Sequence, residues 1–342
     1  MIPRIATVLS ARDWESRLVA HARETAAVRL VLRAYRPADV EGRTGDLDAV
    51  VAGAETSWVT PARIGAWRRS GIRVVGIHPA GDRPARDRLV AAGADDVLAD
   101  DTPSEGITRA VRLLDPPAAP TGPPRGRVTA VVGPRGAPGR TEIAFGLATA
   151  FSDTHDTLLV DLDLEAPALA VRLGLAPRPD VLDASDGVHA TGTLEDTALR
   201  GRNRLSVLVA SHRPDQPGLR PEAADDLLTA AAARFERVVV DAGITSDPVG
   251  ADDVVLVADA SPTGIVRAAH MTDAWTGPRP TLVLNRVPRE DAADVVTAVR
   301  RWTGLDPAAV VLDDARIRDR ARRAGPPARS LARMAERMAV SA

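Results

Sequence analysis

The apolar positions of this chain fall into two repeating patterns, short continuous runs and longer stretches at helical spacing. Runs at 5–9, 28–32, 49–51, 72–77 and 96–98 read as strands. Between and after them, 14–25, 61–69, 83–92 and 103–114 carry apolar residues three and four apart, as helices do. Strand followed by helix, repeated this way, predicts a doubly wound parallel sheet of flavodoxin-like type over residues 1–115. The alternation restarts at 128. VTAVV at 128–132, TLLVD at 157–161, VVVD at 238–241, DDVVLVAD at 252–259 and PTLVLNRV at 280–287 are the unbroken β-branched runs that a sheet covered on both faces requires. These predict a second, mostly parallel sheet over 127–342. Between the two lies PPAAPTGPPRG at 116–126, whose five prolines and two glycines suit neither a helix nor a central strand. It is read as a semi-rigid linker.

Composition narrows the classes. A chain of 342 residues suggests roughly two domains, and 45% hydrophobic residues suffice for sizeable cores. No apolar run reaches the ~18 residues of a membrane span, and no signal-peptide pattern opens the chain, so a cytoplasmic protein is expected. There is no cysteine, which excludes disulfides and thiolate metal sites, and the six histidines show no ligand spacing. The net charge of −2 gives no bulk attraction to nucleic acid, and 3% aromatic residues cannot build a base-stacking platform. All 44 basic residues are arginine. No lysine is therefore available to any motif.

Chemistry concentrates after the first strand of the second half. In VTAVVGPRGAPGRTE, 128–142, a buried strand breaks into a Gly/Pro-rich turn and a helix then opens at Thr141. That arrangement aims backbone N–H groups and a helix dipole at an anion. The phosphate-binding pattern G-x-x-x-x-G-K-[ST] is met only in part, because Pro134 replaces its first glycine and Arg140 its lysine. Further on, Asp161 and Asp163 close one strand and Asp241, followed by Gly243, closes another. Carboxylates at carboxyl ends of parallel strands lie where such sheets bind ligands. Each alone commonly caps a helix or turn. Three of them in order after a glycine loop point to a nucleotide site.

PRGAPGRT, VDLDLEAPALAVRLG, VVVDAG, VVLVADASPT, LVLNRV and ARRAGPP together resemble the MinD/ParA superfamily with its deviant Walker A loop. AAGADDVLADD at 91–101 resembles the fifth-strand region of receiver domains. The combination is similar to CpaE-like and actinobacterial septum-site-determining proteins. The resemblance implies ATP and Mg²⁺ as cofactors, a homodimer, and a partner in septum placement or in a Tad-type pilus or secretion machine. It implies that Arg135 occupies the signature-lysine position that crosses to a partner's nucleotide. Gly136, Gly139, Arg140 and Thr141 would line the phosphates, with Ala137 in place of a glycine, and Asn285 would contact adenine. Thr141, Asp161 and Asp241 would serve Mg²⁺, and Asp163 would orient the attacking water. The departures weaken the chemistry: Arg140 is no point charge, and Glu142, where a small hydroxyl residue is usual, is a carboxylate at a helix N-terminus that competes with phosphate. At most a weak ATPase is expected.

The receiver resemblance is degenerate too. Gly53 stands at the phosphoacceptor position, Asp100 where a lysine is needed, and only Asp13 lies near the first strand. It implies a pseudo-receiver used for docking or dimerisation. A nucleotide-free scaffold is the first alternative, and a phosphate-transferring metabolic enzyme a weaker one. The basic stretch ARIRDRARR at 315–323 is read as a solvated helix face, with DNA or acidic lipid as the alternative. Residues 328–340 are read as a core helix, with a peripheral membrane contact as the alternative.

Overall fold

The computed structural model describes residues 2–114, 125–136, 139–196, 199–202, 204–213, 218–245, 248, 250–275, 279–327, 331 and 334. It divides into two compact units, one comprising 1–124 with 187–193 and the other 125–186 with 194–342. The linker expected at 116–126 lies outside the described residues except for Arg125 and Gly126.

In the first unit the elements run β1 (Arg4–Val8), α1 (Asp13–Thr25), β2 (Arg29–Ala34), α2 (Pro37–Glu41), β3 (Ala49–Gly53), α3 (Pro61–Arg69), β4 (Arg73–His78), α4 (Arg83–Ala91), β5 (Asp96–Ala99) and α5 (Ser104–Leu113). The strands are parallel in the order β2-β1-β3-β4-β5, the flavodoxin-like order. Helix starts follow local chemistry. Thr60 caps α3 by accepting from the Arg63 N–H, and Asp82 caps α4 by accepting from the Ala85 N–H, each with a proline in the first turn. Only α2 escapes the sequence reading, since five residues carry too little periodicity. Two cores cover the sheet faces, one around Trp14, Leu18 and Ile107, the other around Ile64, Trp67 and Val74.

From Arg125 onward the elements are β6 (Arg127–Val132), α6 (Arg140–Phe151), β7 (Thr157–Asp161), α7 (Leu169–Leu173), α8 (Val181–Thr191, of which 187–191 belong to the first unit), β8 (Arg200–Arg202), β9 (Leu205–Leu208), α9 (Pro221–Ala232), β10 (Arg237–Asp241), β11 (Asp253–Asp259), α10 (Pro262–Asp273), β12 (Thr281–Val287), α11 (Ala292–Thr303), β13 (Pro307–Leu312) and α12 (Ala315–Arg322), the rest of them in the second unit. Within the described residues its sheet runs β13-β12-β11-β6-β10-β7-β9-β8, parallel throughout except for the short edge strand β8. The runs read as buried are the centre of this sheet. Every residue of β7, and all of β6 beyond Arg127, is buried, with helices packed on both faces. Strands β8, β9 and β13 were not anticipated, being short or lacking a continuous branched run. Of the C-terminal segment only Leu331 and Met334 are described. Both are fully buried in the core that includes α6. A Cβ on Gly146 would lie 3.1 Å from that of Leu331, so the glycine makes room for it.

Register is what this sheet contributes to chemistry. Asp241 pairs with Asp161 across β10 and β7, and with Val131 across β10 and β6. Both acidic strand ends therefore finish level, next to the turn that leaves β6.

A core of this density makes a graded prediction. Leu159→Ala in β7 removes a fully buried side chain and should cost about 2–5 kcal/mol in urea unfolding. Val171→Ala, at a position 86% exposed, should stay within about 0.5 kcal/mol of the parent.

Candidate functional site

The loop leaving β6 is anchored before it reaches its helix. The Gly133 N–H donates to the Gly243 carbonyl at 3.3 Å, tying the start of the loop to the turn after β10. Gly136 and Gly139 have φ of +108° and +96°, a left-handed region that side chains rarely occupy. Space excludes larger residues as well: a Cβ on Gly139 would sit 2.2 Å from Asn285 Nδ2, and one on Gly136 would sit 2.9 Å from the Arg267 guanidinium. The loop thus lies between the end of β12 and helix α10, and Arg267 also donates to the Arg135 carbonyl at 3.0 Å. Ala137 and Pro138 lie outside the described residues. Helix α6 opens at Arg140, one residue before the position predicted.

Arg140 turns its guanidinium back into the loop. Nη1 donates to the carbonyls of Gly133 (3.2 Å) and Pro134 (3.0 Å), and Nη2 donates to Asp163 Oδ2 at 2.7 Å. Both side chains are about nine-tenths buried, so the pair is not a surface ion pair. The Thr141 hydroxyl donates to Asp241 Oδ2 at 2.5 Å. Among the described residues, the other Asp241 oxygen, Oδ1, has no hydrogen-bond partner and is buried, as is Arg140 Nε.

Asp161 is fully buried and already occupied. It accepts N–H groups from Asp163 (3.1 Å), Ala168 (3.1 Å) and Leu169 (3.0 Å), which shape the turn between β7 and α7. Burial is the main cause that raises its pKa to about 7, against the lowering effect of those N–H groups. Burial likewise raises Asp241 to about 6, opposed by the Thr141 hydroxyl and the Arg140 charge.

The structure brings together Gly136, Gly139, Arg140, Thr141, Asp161, Asp163, Asp241 and Asn285 at one edge of the sheet. Arg135 is set apart: it is exposed and faces Glu165 at 3.4 Å. Glu142 differs from its expected role. Rather than competing with an anion at the helix N-terminus, it forms a two-pronged ion pair with Arg172, whose guanidinium also donates to the Gly325 carbonyl at 2.9 Å and stacks on Phe145. Sequence reading assigned no role to Arg172, Arg267 or Glu165; Glu165 and Arg172 lie inside the VDLDLEAPALAVRLG stretch, and Arg267 lies outside every motif. A hollow of ≈350 Å³ borders the site, lined in part by Leu162, Asp163, Glu165, Gly243 and Ile244.

The donor set can be tested against a hydrated Mg²⁺. Thr141 and Asp241 supply a hydroxyl and a carboxylate with one buried oxygen unsatisfied, a combination that suits an ion keeping most of its waters. Among the described residues no group of three or more His, Asp or Glu side chains could hold a metal directly.

No family model matches the chain. No curated protein matches it either. Solved structures do. A ParA family ATPase from Chlorobium tepidum aligns with TM-score 0.56 at 22% identity, covering 63% of this chain and 99% of that one. The MinC:MinD cell division protein complex of Aquifex aeolicus aligns with TM-score 0.53 at 17% identity, covering 64% and 97%. An ATP complex of McdA(D38A) from Cyanothece gives 0.52 at 14%, covering 63% and 97%. Over about 63% of the chain the fold is that of the MinD/ParA P-loop ATPases.

The raised carboxyl predicts a pH dependence. A folded-state pKa above the unfolded value means the native state holds the proton longer, so stability falls as pH rises from about 4 to about 6. Asp241→Asn removes that titration. Relative to the parent, the variant should gain stability between pH 4.5 and 7.5, read from urea midpoints; a difference that is flat with pH would contradict the buried carboxyl.

Proposed function

We propose that this chain is a positioning or regulatory protein built on the MinD/ParA fold, a weak ATP- and Mg²⁺-linked switch with a degenerate loop. The carrying observation is the Arg140 guanidinium, which bridges two loop carbonyls and Asp163 at the start of α6. In this reading Arg140 stands at the Walker lysine position and Asp163 at the position of the water-orienting carboxylate. The cation that would meet phosphate is joined to the residue that would serve hydrolysis. Thr141 and Asp241 would hold Mg²⁺, which supplies charge neutralisation to the phosphates when bound. Gly136 and Gly139 would give backbone N–H groups, Asn285 would lie near the base, and the exposed Arg135 would reach a second copy in a homodimer.

The partner class we assign is septum placement or Tad-type pilus or secretion assembly, following the resemblance to CpaE-like and septum-site-determining proteins. The first unit would act as a pseudo-receiver. Supporting this, the space over Gly53 is taken by the Glu55 carboxylate, which would lie 2.3 Å from a Cβ there, and Asp100 is paired with Arg12. A second reading, a scaffold that binds no nucleotide, draws on the same Arg140 contacts, since they fill the loop from within.

Calorimetric titration with Mg²⁺-ATP separates the two. Arg140→Lys replaces a planar fork by a point charge and should tighten binding about tenfold over the parent. Asp163→Ala should retain binding and lose residual hydrolysis. Absence of heat with both the parent and Arg140→Lys at millimolar nucleotide selects the scaffold.

For the first unit, acetyl phosphate or beryllofluoride with Mg²⁺ should leave its spectra unchanged. Stoichiometric phosphorylation of an aspartate there would overturn the pseudo-receiver assignment.

A further inference from the structure

The first unit holds an arginine-rimmed cavity, remote in sequence from the loop chemistry and independent of it. Helix α1 ends on Ala26, whose φ of 50° is left-handed, and the chain turns from there into β2. That turn sets Arg23, in the last turn of α1, and Arg29, the first residue of β2, on one rim. The hollow between them, ≈640 Å³, has Ala22, Val28 and Leu30 as its apolar floor and Arg4 on its far wall. A second hollow of ≈370 Å³ shares Arg4, Arg29 and Leu30 and is bounded by Arg43 and Asp46.

These arginines are not equivalent. Arg4 is committed to Asp48 through Nη2–Oδ1 at 2.9 Å and Nε–Oδ2 at 3.2 Å, and that pairing pulls the Asp48 carboxyl below the usual range. Arg23, Arg29 and Arg43 make no side-chain hydrogen bond or ion pair with any described residue. Asp46 is the one further acid in the lining. Arg23 and Arg29 on the larger hollow face no acidic side chain in its lining and repel one another, and an anion entering between them relieves that repulsion.

Volume and chemistry both restrict the ligand. The larger hollow has the size of a small-molecule site, and its mixture of apolar floor and few charged groups is what such sites show. Guanidinium forks match phosphate oxygens in pairs. We propose that this cavity binds a small molecule carrying a phosphate group on an apolar body. The arginines hold the phosphate, and Ala22, Val28 and Leu30 take the apolar part. A soluble phosphoester and a lipid headgroup both present that chemistry.

The test uses the full chain and three probes: 4-methylumbelliferyl phosphate, its phosphate-free parent 4-methylumbelliferone, and vesicles of phosphatidic acid in phosphatidylcholine. The phosphoester should bind, and the phosphate-free compound should bind more weakly. Arg23→Gln combined with Arg29→Gln, the two arginines of the larger hollow without a partner among the described residues, should weaken phosphoester binding about tenfold or more, with Arg86→Gln, at an exposed site elsewhere in the unit, as a control that leaves it unchanged. Thr141→Val in the second unit should also leave it unchanged, which separates this site from the loop. Binding to the vesicles alone, lost in the double variant, supports the same chemistry and assigns a lipid source. Absence of binding to phosphoester and vesicles at millimolar concentration overturns the proposal. So does affinity that the double variant retains, affinity that Thr141→Val abolishes, or binding only to duplex DNA.

Discussion

The parallel register of β6, β10 and β7 is the constraint on which the second unit depends. Because strand pairing fixes each residue's level, Asp241 has to finish beside Asp161 on one side and beside Val131 on the other. A one-residue slip would turn every side chain of the strand to the opposite face. It would also pull Asp241 from the Thr141 hydroxyl. The apolar runs that fill the core are thus the same residues that align the acids, and packing and site cannot be varied separately there.

This explains which parts were legible in the sequence. Asp161, Asp163 and Asp241 end apolar runs, and Gly136 and Gly139 sit in a turn of restricted composition, so local pattern alone placed them at one sheet edge. Glu142 was read through its own helix terminus, and that failed. Its partner Arg172 is 30 residues away, on a five-residue helix whose sequence gives no sign of which carboxylate the arginine will meet. The strands β8 and β9 failed for a related reason. Three and four residues give no usable alternation, and β9 exists because β7 offers it an edge. Long-range electrostatics and edge completion are tertiary facts, and a linear pattern does not carry them.

Two carboxylates two residues apart also diverge in use. Asp161 spends both oxygens on backbone N–H groups and holds the turn toward α7, whereas Asp163 faces Arg140. The first holds the turn that sets the second against Arg140. Gly243 belongs to this arrangement, since a Cβ there would come 3.0 Å from the Asp163 carboxyl carbon. The glycine that follows β10 leaves the room that Asp163 needs.

Arginine in place of lysine changes what a loop of this kind can exchange. A lysine ammonium rotates freely on its stem and surrenders one partner for another with little rearrangement. Arg140 spreads three contacts over a rigid plane, to two carbonyls and a carboxylate, and its buried Nε has no partner among the described residues. An incoming phosphate must therefore displace the plane as a unit and leave Asp163 without its counter-charge. Breaking one side of a buried ion pair costs about 3–5 kcal/mol, similar to what one or two charge-assisted bonds to phosphate return. On the reading proposed above, that near balance would make nucleotide affinity weak and set by one side chain, and a state open to an anion beside the one closed on Asp163 is what such a switch would require.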